Sequence, residues 1–300
     1  MSGARTTPDH TADATPEAYG TAELVAAFRA AEQARPADRR IFGDPYADLF
    51  VTDKRLRALV ARPRLSRFVV RLRERITPGI IGEALLRYRY ADEVLRSAGL
   101  GQLVLIGAGY DSTALRLGPD GDVRVYEVDH PGTQARKRAI LESELPGALE
   151  RSTMVPCDLR VEKVSEALAR TDFDPSEPAV FNWLGVCMYL SRGEVEAAIR
   201  DMASVAAPRS RLVFDYMEAS VIDGTTTSKS AKRAAADVAK RGEPFRFGLR
   251  HDEPPTWLPP LGFEVRESIS ADALMRRSFP DGSGLAGADY MGLVDAERRA

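Results

Sequence analysis

The sequence predicts an α/β protein in which a mostly parallel sheet carries helices on both faces. Three observations predict it. Short apolar runs alternate with helical patterns over most of the 300 residues, the arrangement that packs helices on both faces of a parallel sheet. The first run, Leu103-Val104-Leu105-Ile106, ends in Gly107-Ala108-Gly109, where the lack of side chains lets backbone approach a ligand closely. The second, Val123 to Val128, ends at Asp129. Strand, glycine turn, helix, strand and acid make the front half of a Rossmann-like nucleotide crevice.

Residues 1–19 are small and polar and read as a frayed tail. From Thr21, Leu24, Val25, Phe28 and Ala31 recur at helical spacing. Asp44-Pro45 marks a turn, and Tyr46, Leu49, Phe50, Leu56 and Leu59 predict a second helix. From Lys54 to Arg89 the chain is dense in arginine. That stretch reads as a solvated helical face with Leu65, Phe68, Val69 and Leu72 turned inward, the alternative being a patch for an anionic ligand. Pro78-Gly79 breaks the pattern, and a helix follows from Ile80 to Ala98, capped by Gly99.

Beyond Asp129 the pattern predicts a helix from Gln134 to Glu144 and a third strand from Met154 that ends in Asp158. A helix over Val161–Ala169 and a buried strand over Ala179–Leu184 come next. Ser191 and Glu194 form a capping box. Leu212–Tyr216 is the fifth strand. Residues 218–260 read as a lid insertion, polar and alanine-rich around Gly224. Leu261–Val265 opens the last strand region, with Tyr290–Val294 as its partner. The organisation expected is a tail (1–19), an N-terminal helical cap (20–99) and a nucleotide-binding unit (100–300).

Composition narrows the function classes. A net charge of −2 exerts no global pull on nucleic acid or membrane, and no window reaches the roughly 20 apolar residues of a spanning helix. The N-terminus has no apolar segment of a secretory signal. Cys157 and Cys187 lie too far apart for a CxxC or metal-ligand spacing, and His10, His130 and His251 are scattered. The expectation is a cytoplasmic protein with reduced thiols, no metal, no nucleic-acid partner and no membrane partner.

The glycine turn by itself serves nicotinamide dehydrogenases and S-adenosylmethionine methyltransferases alike. A dinucleotide fingerprint wants a small residue three after the second glycine to bring a pyrophosphate onto a helix N-terminus; that position holds Ser112. An amino-acid tail with a sulfonium wants instead a cation for its carboxylate and acids near its ribose and adenine. Arg87 precedes the first strand, Asp129 ends the second, and Asp158 with Leu159 follows the third.

The segments AAFRAAEQARPADRRIFGDPYA, RYRYADEVL, VLIGAGYDSTALRL, YEVDHP, CDL, LGVCMYLSR, RLVFDY and GEPFRFG resemble the leucine carboxyl methyltransferase-like family of class I S-adenosylmethionine-dependent methyltransferases. The likeness spans residues from about 21 to 268 and is strongest to its bacterial branch with tetracenomycin-type polyketide O-methyltransferases. It implies a class I methyltransferase fold with a seven-stranded sheet and S-adenosylmethionine as cofactor. By resemblance Arg87 binds the cofactor carboxylate, with Arg29 as a second contact. Gly107 and Gly109 line the methionine portion, Asp129 holds the ribose, and Asp158 and Leu159 meet the adenine. The chain departs from the family where an acid normally precedes Gly185 and helps hold the cofactor amino group: Leu184 stands there, with Asn182 or a backbone carbonyl as the substitute.

The activity expected is O-methylation of a small molecule, on a carboxylate or a hydroxyl. A carboxylate is ionised at neutral pH and needs no base, whereas a phenol, with a pKa near 10, benefits from one. Tyr189 and His251 are the candidate bases, and Arg246 or Arg250 the candidate cations for an acidic acceptor. The rivals are a protein C-terminal carboxyl methyltransferase, a nicotinamide oxidoreductase, and a cofactor-binding scaffold without catalysis.

Overall fold

The computed structural model describes residues 16–117, 122–240 and 242–299. The chain begins with helices α1 (Pro16–Glu32), α2 (Lys54–Val60), α3 (Pro63–Ile76) and α4 (Ile80–Ala98). Strands and helices then alternate: β1 (Gln102–Ile106), α5 (Thr113–Leu117), β2 (Arg124–Asp129), α6 (Pro131–Glu144), β3 (Thr153–Pro156), α7 (Val164–Leu168), β4 (Ala179–Trp183), α8 (Arg192–Val205) and β5 (Arg211–Glu218). The remainder comprises α9 (Ala219–Ile222), α10 (Lys229–Lys240), β6 (Gly248–Leu249), α11 (Pro254–Trp257), β7 (Phe263–Ser270), α12 (Ala271–Ser278) and β8 (Met291–Arg298).

The main sheet path is β3-β2-β1-β4-β5-β8-β7, and the two-residue β6 pairs with β5 off that path. Strands β1 to β6 pair in parallel, while β8 runs antiparallel to both β5 and β7. The sheet is therefore mostly parallel with an antiparallel edge. All residues of β1 and β4 are buried, which is why they read as unbroken apolar runs: both faces of a parallel sheet are covered. Side chains alternate between the faces. Leu103 and Leu105 join the core beneath α4, α10 and α12, while Val104 and Ile106 join the core beneath α7, α8 and α11. The chain goes from β1 to β2 on one side and later returns to β4 on the other. That reversal opens a crevice at the carboxyl ends of β1 and β4.

Most expected elements are present with small shifts, and the shifts have local causes. Helix α1 starts at Pro16, within the stretch read as tail; residues 1–15 lie outside the described ones. The second helix is broken. A 3₁₀ turn covers Ala47–Phe50, and Asp53 then caps a new helix by accepting from the amides of Arg55 and Leu56, both at 2.9 Å. The third strand stops at Pro156, so Asp158 lies in the following loop. Helix α7 begins only at Val164 because Asp158 organises a turn first, its carbonyl accepting from Glu162.

Helix α3 overturns an expectation. Leu65, Phe68 and Leu72, read as turned inward, are 44%, 62% and 46% exposed. The helix docks by its other side. Ser66 is buried, Val70 packs on the core, and Glu74 accepts from the amides of Ala286 at 2.7 Å and Gly79 at 3.2 Å. Periodicity reveals that an apolar face exists, not which face a neighbour covers.

Helix α4 matches its predicted span, ending at Gly99 with φ +60°. It lies against the sheet face of Leu103 and Leu105, and its middle turn delivers Arg87 to the crevice. No helix among the described residues is long and apolar enough to cross a membrane.

Candidate functional site

The crevice is built on the turn after β1. Gly107 takes φ +65° and Gly109 φ +48°, values that favour glycine. A Cβ on Gly107 would lie 2.4 Å from Val186 Cγ2, so a side chain there would have to displace Val186. The Gly109 amide donates to Asp129 Oδ2 at 2.5 Å, and the His130 amide to Oδ1 at 2.6 Å. Asp129 is thus fixed at the end of β2 with acceptor capacity left on both oxygens. Burial raises its pKa, and those two amides partly offset the rise.

Arg87 forms the other wall. Its Nη1 lies 3.3 Å from Asp215 Oδ2 and 3.6 Å from Glu83 Oε1. Burial alone would lower the guanidinium pKa, but the two carboxylates outweigh it and raise it, so Arg87 is a permanent cation. Asp215, on β5, also accepts from the Gly185 amide at 2.6 Å. Neither Asp215 nor Glu83 was marked as a site residue by the sequence. Two faint signals existed: an acid inside the apolar run LVFDY, and an acid one helical turn before Arg87.

A cavity of about 150 Å³ connects these walls and is lined by Arg29, Arg87, Gly107, Gly109, Leu184 and Gly185, among others. Leu184 therefore stands at the crevice edge where the sequence placed it. An acid is nevertheless close by, because Asp215 reaches the neighbouring Gly185 from β5. Asn182, the suggested substitute, is buried with Oδ1 unpartnered. Arg29 is 1% exposed and largely committed inside the protein, to Asp44 at 2.7 Å and the Tyr110 carbonyl at 2.5 Å, and it stacks over the Tyr88 ring at 4.7 Å. Ser112 belongs to the same cluster, its hydroxyl donating to Asp44 at 2.7 Å.

A second cavity of about 150 Å³ adjoins the first and shares Thr21, Val25, Arg87, Gly185 and Tyr189 with it. Its walls are mainly apolar, from Leu24 and Phe28 of α1, Ile80 of α4, Val238 of α10, Phe245 and Met291. Glu83 lies in its wall, 6% exposed, with Oε1 lacking any hydrogen bond. Burial, reinforced by Asp215 and opposed by Arg87, pushes Glu83 up to about 7.

A third cavity, of about 280 Å³, lies beside the carboxyl ends of β1 and β4 and is lined by Leu159, Ile106, Trp183 and Leu190. Asp158 stands beside Leu159, and its carboxylate is held by Arg160 through bonds of 2.9 and 2.7 Å. The hydrogen bond from Arg160 lowers the Asp158 pKa. An adenine amino group placed at Asp158, as the resemblance implies, would compete with that solvent-facing pair, worth about 0–1 kcal/mol. Arg160→Ala is accordingly expected to tighten binding of an adenine nucleoside by up to about fivefold, measured by equilibrium titration.

Three sequence candidates stand differently from their expected roles. His251 lines neither of the two adjoining cavities; its Nδ1 meets the Tyr216 hydroxyl at 3.1 Å and its Nε2 the Asp289 carbonyl at 2.8 Å. Arg246 gives its backbone amide to Met188 at 2.7 Å, but its side chain is on the surface beside Glu194 at 3.6 Å. Arg250 pairs with exposed Asp252. Tyr189 does line both cavities, its ring tilted against Phe245 with centroids 5.6 Å apart. Burial pushes its phenol up to about 12, which makes it a hydrogen-bond donor and not a base at neutral pH.

The raised Glu83 pKa has a consequence for stability. The folded state holds this proton more tightly than the unfolded chain, so the associated stability is fully present below about pH 4.5 and is lost as pH rises through about 7. Glu83→Gln, which mimics the neutral form, is expected to stabilise the protein by on the order of 3 kcal/mol at pH 8 and by almost nothing at pH 4.5. Denaturant unfolding at the two pH values checks this.

Comparison with known proteins adds to the geometry. The family profile described as leucine carboxyl methyltransferase matches residues 22–203. A Mycolicibacterium gilvum protein is 35% identical over 83% of this chain and 79% of its own length. A Parafrankia protein is 30% identical over 89% of this chain and 84% of its own. Both are named as S-adenosyl-L-methionine-dependent methyltransferases. A crystal structure from Thermobifida fusca, titled as a methyltransferase, superposes with a TM-score of 0.57 at 17% identity, covering 89% of this chain and 96% of that one. At that identity the likeness is one of fold.

Proposed function

The chain belongs to the leucine carboxyl methyltransferase family and is an S-adenosylmethionine-dependent methyltransferase, and from that premise we propose that it methylates an oxygen of a small, largely apolar molecule held in the cavity beside Arg87. The observation that carries the proposal is the junction of the two cavities. The glycine-lined one suits the amino-acid end of the cofactor, and the apolar one opens from it past Arg87, Gly185 and Tyr189.

The residues present fit the cofactor. Arg87 Nε and Arg29 Nε are buried donors without partners. In this reading Arg87 holds the carboxylate, with Arg29 Nε as a secondary donor. Gly107 and Gly109 line the methionine portion, Asp129 takes the ribose hydroxyls, and Leu159 with Asp158 meets the adenine. Asp215 offers the negative charge that Leu184 lacks, across from the cofactor amino group. When bound, S-adenosylmethionine supplies a methyl group already activated by positive sulfur. The protein's work is to align the acceptor and exclude water, and such positioning contributes up to roughly 7–11 kcal/mol in the best intramolecular cases.

Residues 20–99 act in this reading as the cap over the crevice and residues 218–260 as its lid, since α1, α4, α10 and Phe245 supply most of the apolar wall. Secondary metabolism in the cytoplasm is the proposed setting, in keeping with two buried free thiols, Cys157 and Cys187. The test is incubation with methyl-labelled S-adenosylmethionine and separate pools of small organic acids, phenols, amines and peptides. Label on an oxygen of a small molecule is the expected result. Label confined to peptide termini or to amines would overturn the reading.

A further inference from the structure

We infer that Glu83 is the group that receives the acceptor's proton, and that the acceptor is therefore a neutral hydroxyl compound, a phenol or enol, and not a carboxylate. The inference rests on the oxygen-methylation reading above and narrows its substrate class.

Glu83 has no structural need that explains its place. Arg87 is already compensated by Asp215, which approaches it more closely and is itself anchored by the Gly185 amide. Glu83 then adds a second buried carboxylate to a site with one buried cation, and its Oε1 gains no hydrogen bond in return. A buried acid in this condition costs stability and is characteristic of a functional position. It faces an apolar cavity large enough for an aromatic ring, one step from the cofactor's crevice. The other charged or titratable groups in that cavity's wall are Arg87 on the same helix, Arg73 on α3, Asp237 on α10, and Tyr189 and Tyr290; Asp215 on β5 lies beneath it. Asp237 is partly exposed, and burial pushes both tyrosines up to about 12. Glu83 is thus the buried base of this cavity.

The proton balance is complete. The hydroxyl of the acceptor donates to the Glu83 carboxylate, which lines the cavity. As the oxygen lone pair forms the new C–O bond, the C–S bond breaks and its electron pair stays on sulfur, the O–H pair becomes the oxygen lone pair, and the proton passes to Glu83. Water takes that proton after product release. A carboxylate acceptor has no such proton to give, and its charge would be set against Glu83 and Asp215.

The experiment compares the wild type with Glu83→Gln, using 2-naphthol, 2-naphthoate and 2-naphthylamine as probes. In the first arm each probe is titrated without cofactor at pH 8 by fluorescence. The wild type is expected to prefer 2-naphthol, and the variant to gain at least about tenfold in 2-naphthoate affinity as one repelling charge is removed. In the second arm single-turnover methylation of 2-naphthol is followed against pH. The wild-type rate is expected to rise through a pKa of about 7, and the variant to lose that limb with a fall of roughly 10²–10⁴. An unchanged S-adenosylhomocysteine affinity in the variant separates this loss from a damaged cofactor site. If the variant keeps the wild-type rate, pH profile and probe preference, the proton role is wrong while oxygen methylation stands. Methylation of 2-naphthoate by both proteins alike has the same meaning. Exclusive methylation of 2-naphthylamine overturns the role and the oxygen reading together.

Discussion

Arg87→Ala is expected to weaken S-adenosylmethionine binding by about 10- to 150-fold, the equivalent of the roughly 1.5–3 kcal/mol carried by a hydrogen bond to a charged group. A second effect accompanies it. Glu83 and Asp215 are left as buried carboxylates without their cation, and removing one partner of such a cluster costs about 3–5 kcal/mol of stability. The two effects respond differently to a further change. Combining Arg87→Ala with Glu83→Gln is expected to restore part of the stability and none of the cofactor affinity. Calorimetric titration and denaturant unfolding of the single and double variants separate them. Wild-type affinity in Arg87→Ala would show that the carboxylate anchor lies elsewhere.

Arg29→Ala is expected to act chiefly on the fold. The Arg29–Asp44 pair is fully buried, and Arg29 ties α1 to the Tyr110 carbonyl at the glycine turn. Its loss leaves the buried Asp44 Oδ2 with the Ser112 hydroxyl in place of a cation, a change worth about 3–5 kcal/mol. Cofactor affinity is expected to fall less than in Arg87→Ala, because Nε is the one Arg29 nitrogen without a partner. Unfolding in urea, read beside cofactor titration, decides between this structural role and the direct carboxylate contact that the resemblance implies. A large affinity loss at wild-type stability would favour the direct contact.

The parts of the fold that were legible in the sequence are those fixed by local pattern. The buried runs of β1 and β4, the Gly99 cap of α4 and the Ser191–Glu194 capping box each announce themselves within a few residues. That Gly107, Leu184 and Asp129 come together was legible for a related reason, since each belongs to a short motif at a strand end and the sheet topology gathers those ends at one crevice, which α4 covers with Arg87. Asp215 and Glu83 were not. They acquire meaning only when β5 is laid beside β4 and beneath α4, which joins Arg87 to a residue 128 positions away. His251 and Arg246 erred in the opposite direction: a polar residue in a loop carries chemistry but no direction, and these two point to Tyr216 and Glu194. In α3 the apolar stripe was read correctly as a stripe and assigned to the wrong side. The docking of that helix is set by Glu74 and Val70 against partners remote in sequence.

The cofactor's amino-acid end is expected at the junction of the glycine-lined and apolar cavities, with Arg87 as its anchor. A crystal structure with S-adenosylhomocysteine bound tests it most directly. The ligand carboxylate is expected within hydrogen-bond distance of Arg87, the ribose on Asp129, and the sulfur facing the cavity of Glu83 and Tyr189. A ligand whose carboxylate lies away from Arg87, or whose sulfur faces away from that cavity, would contradict it.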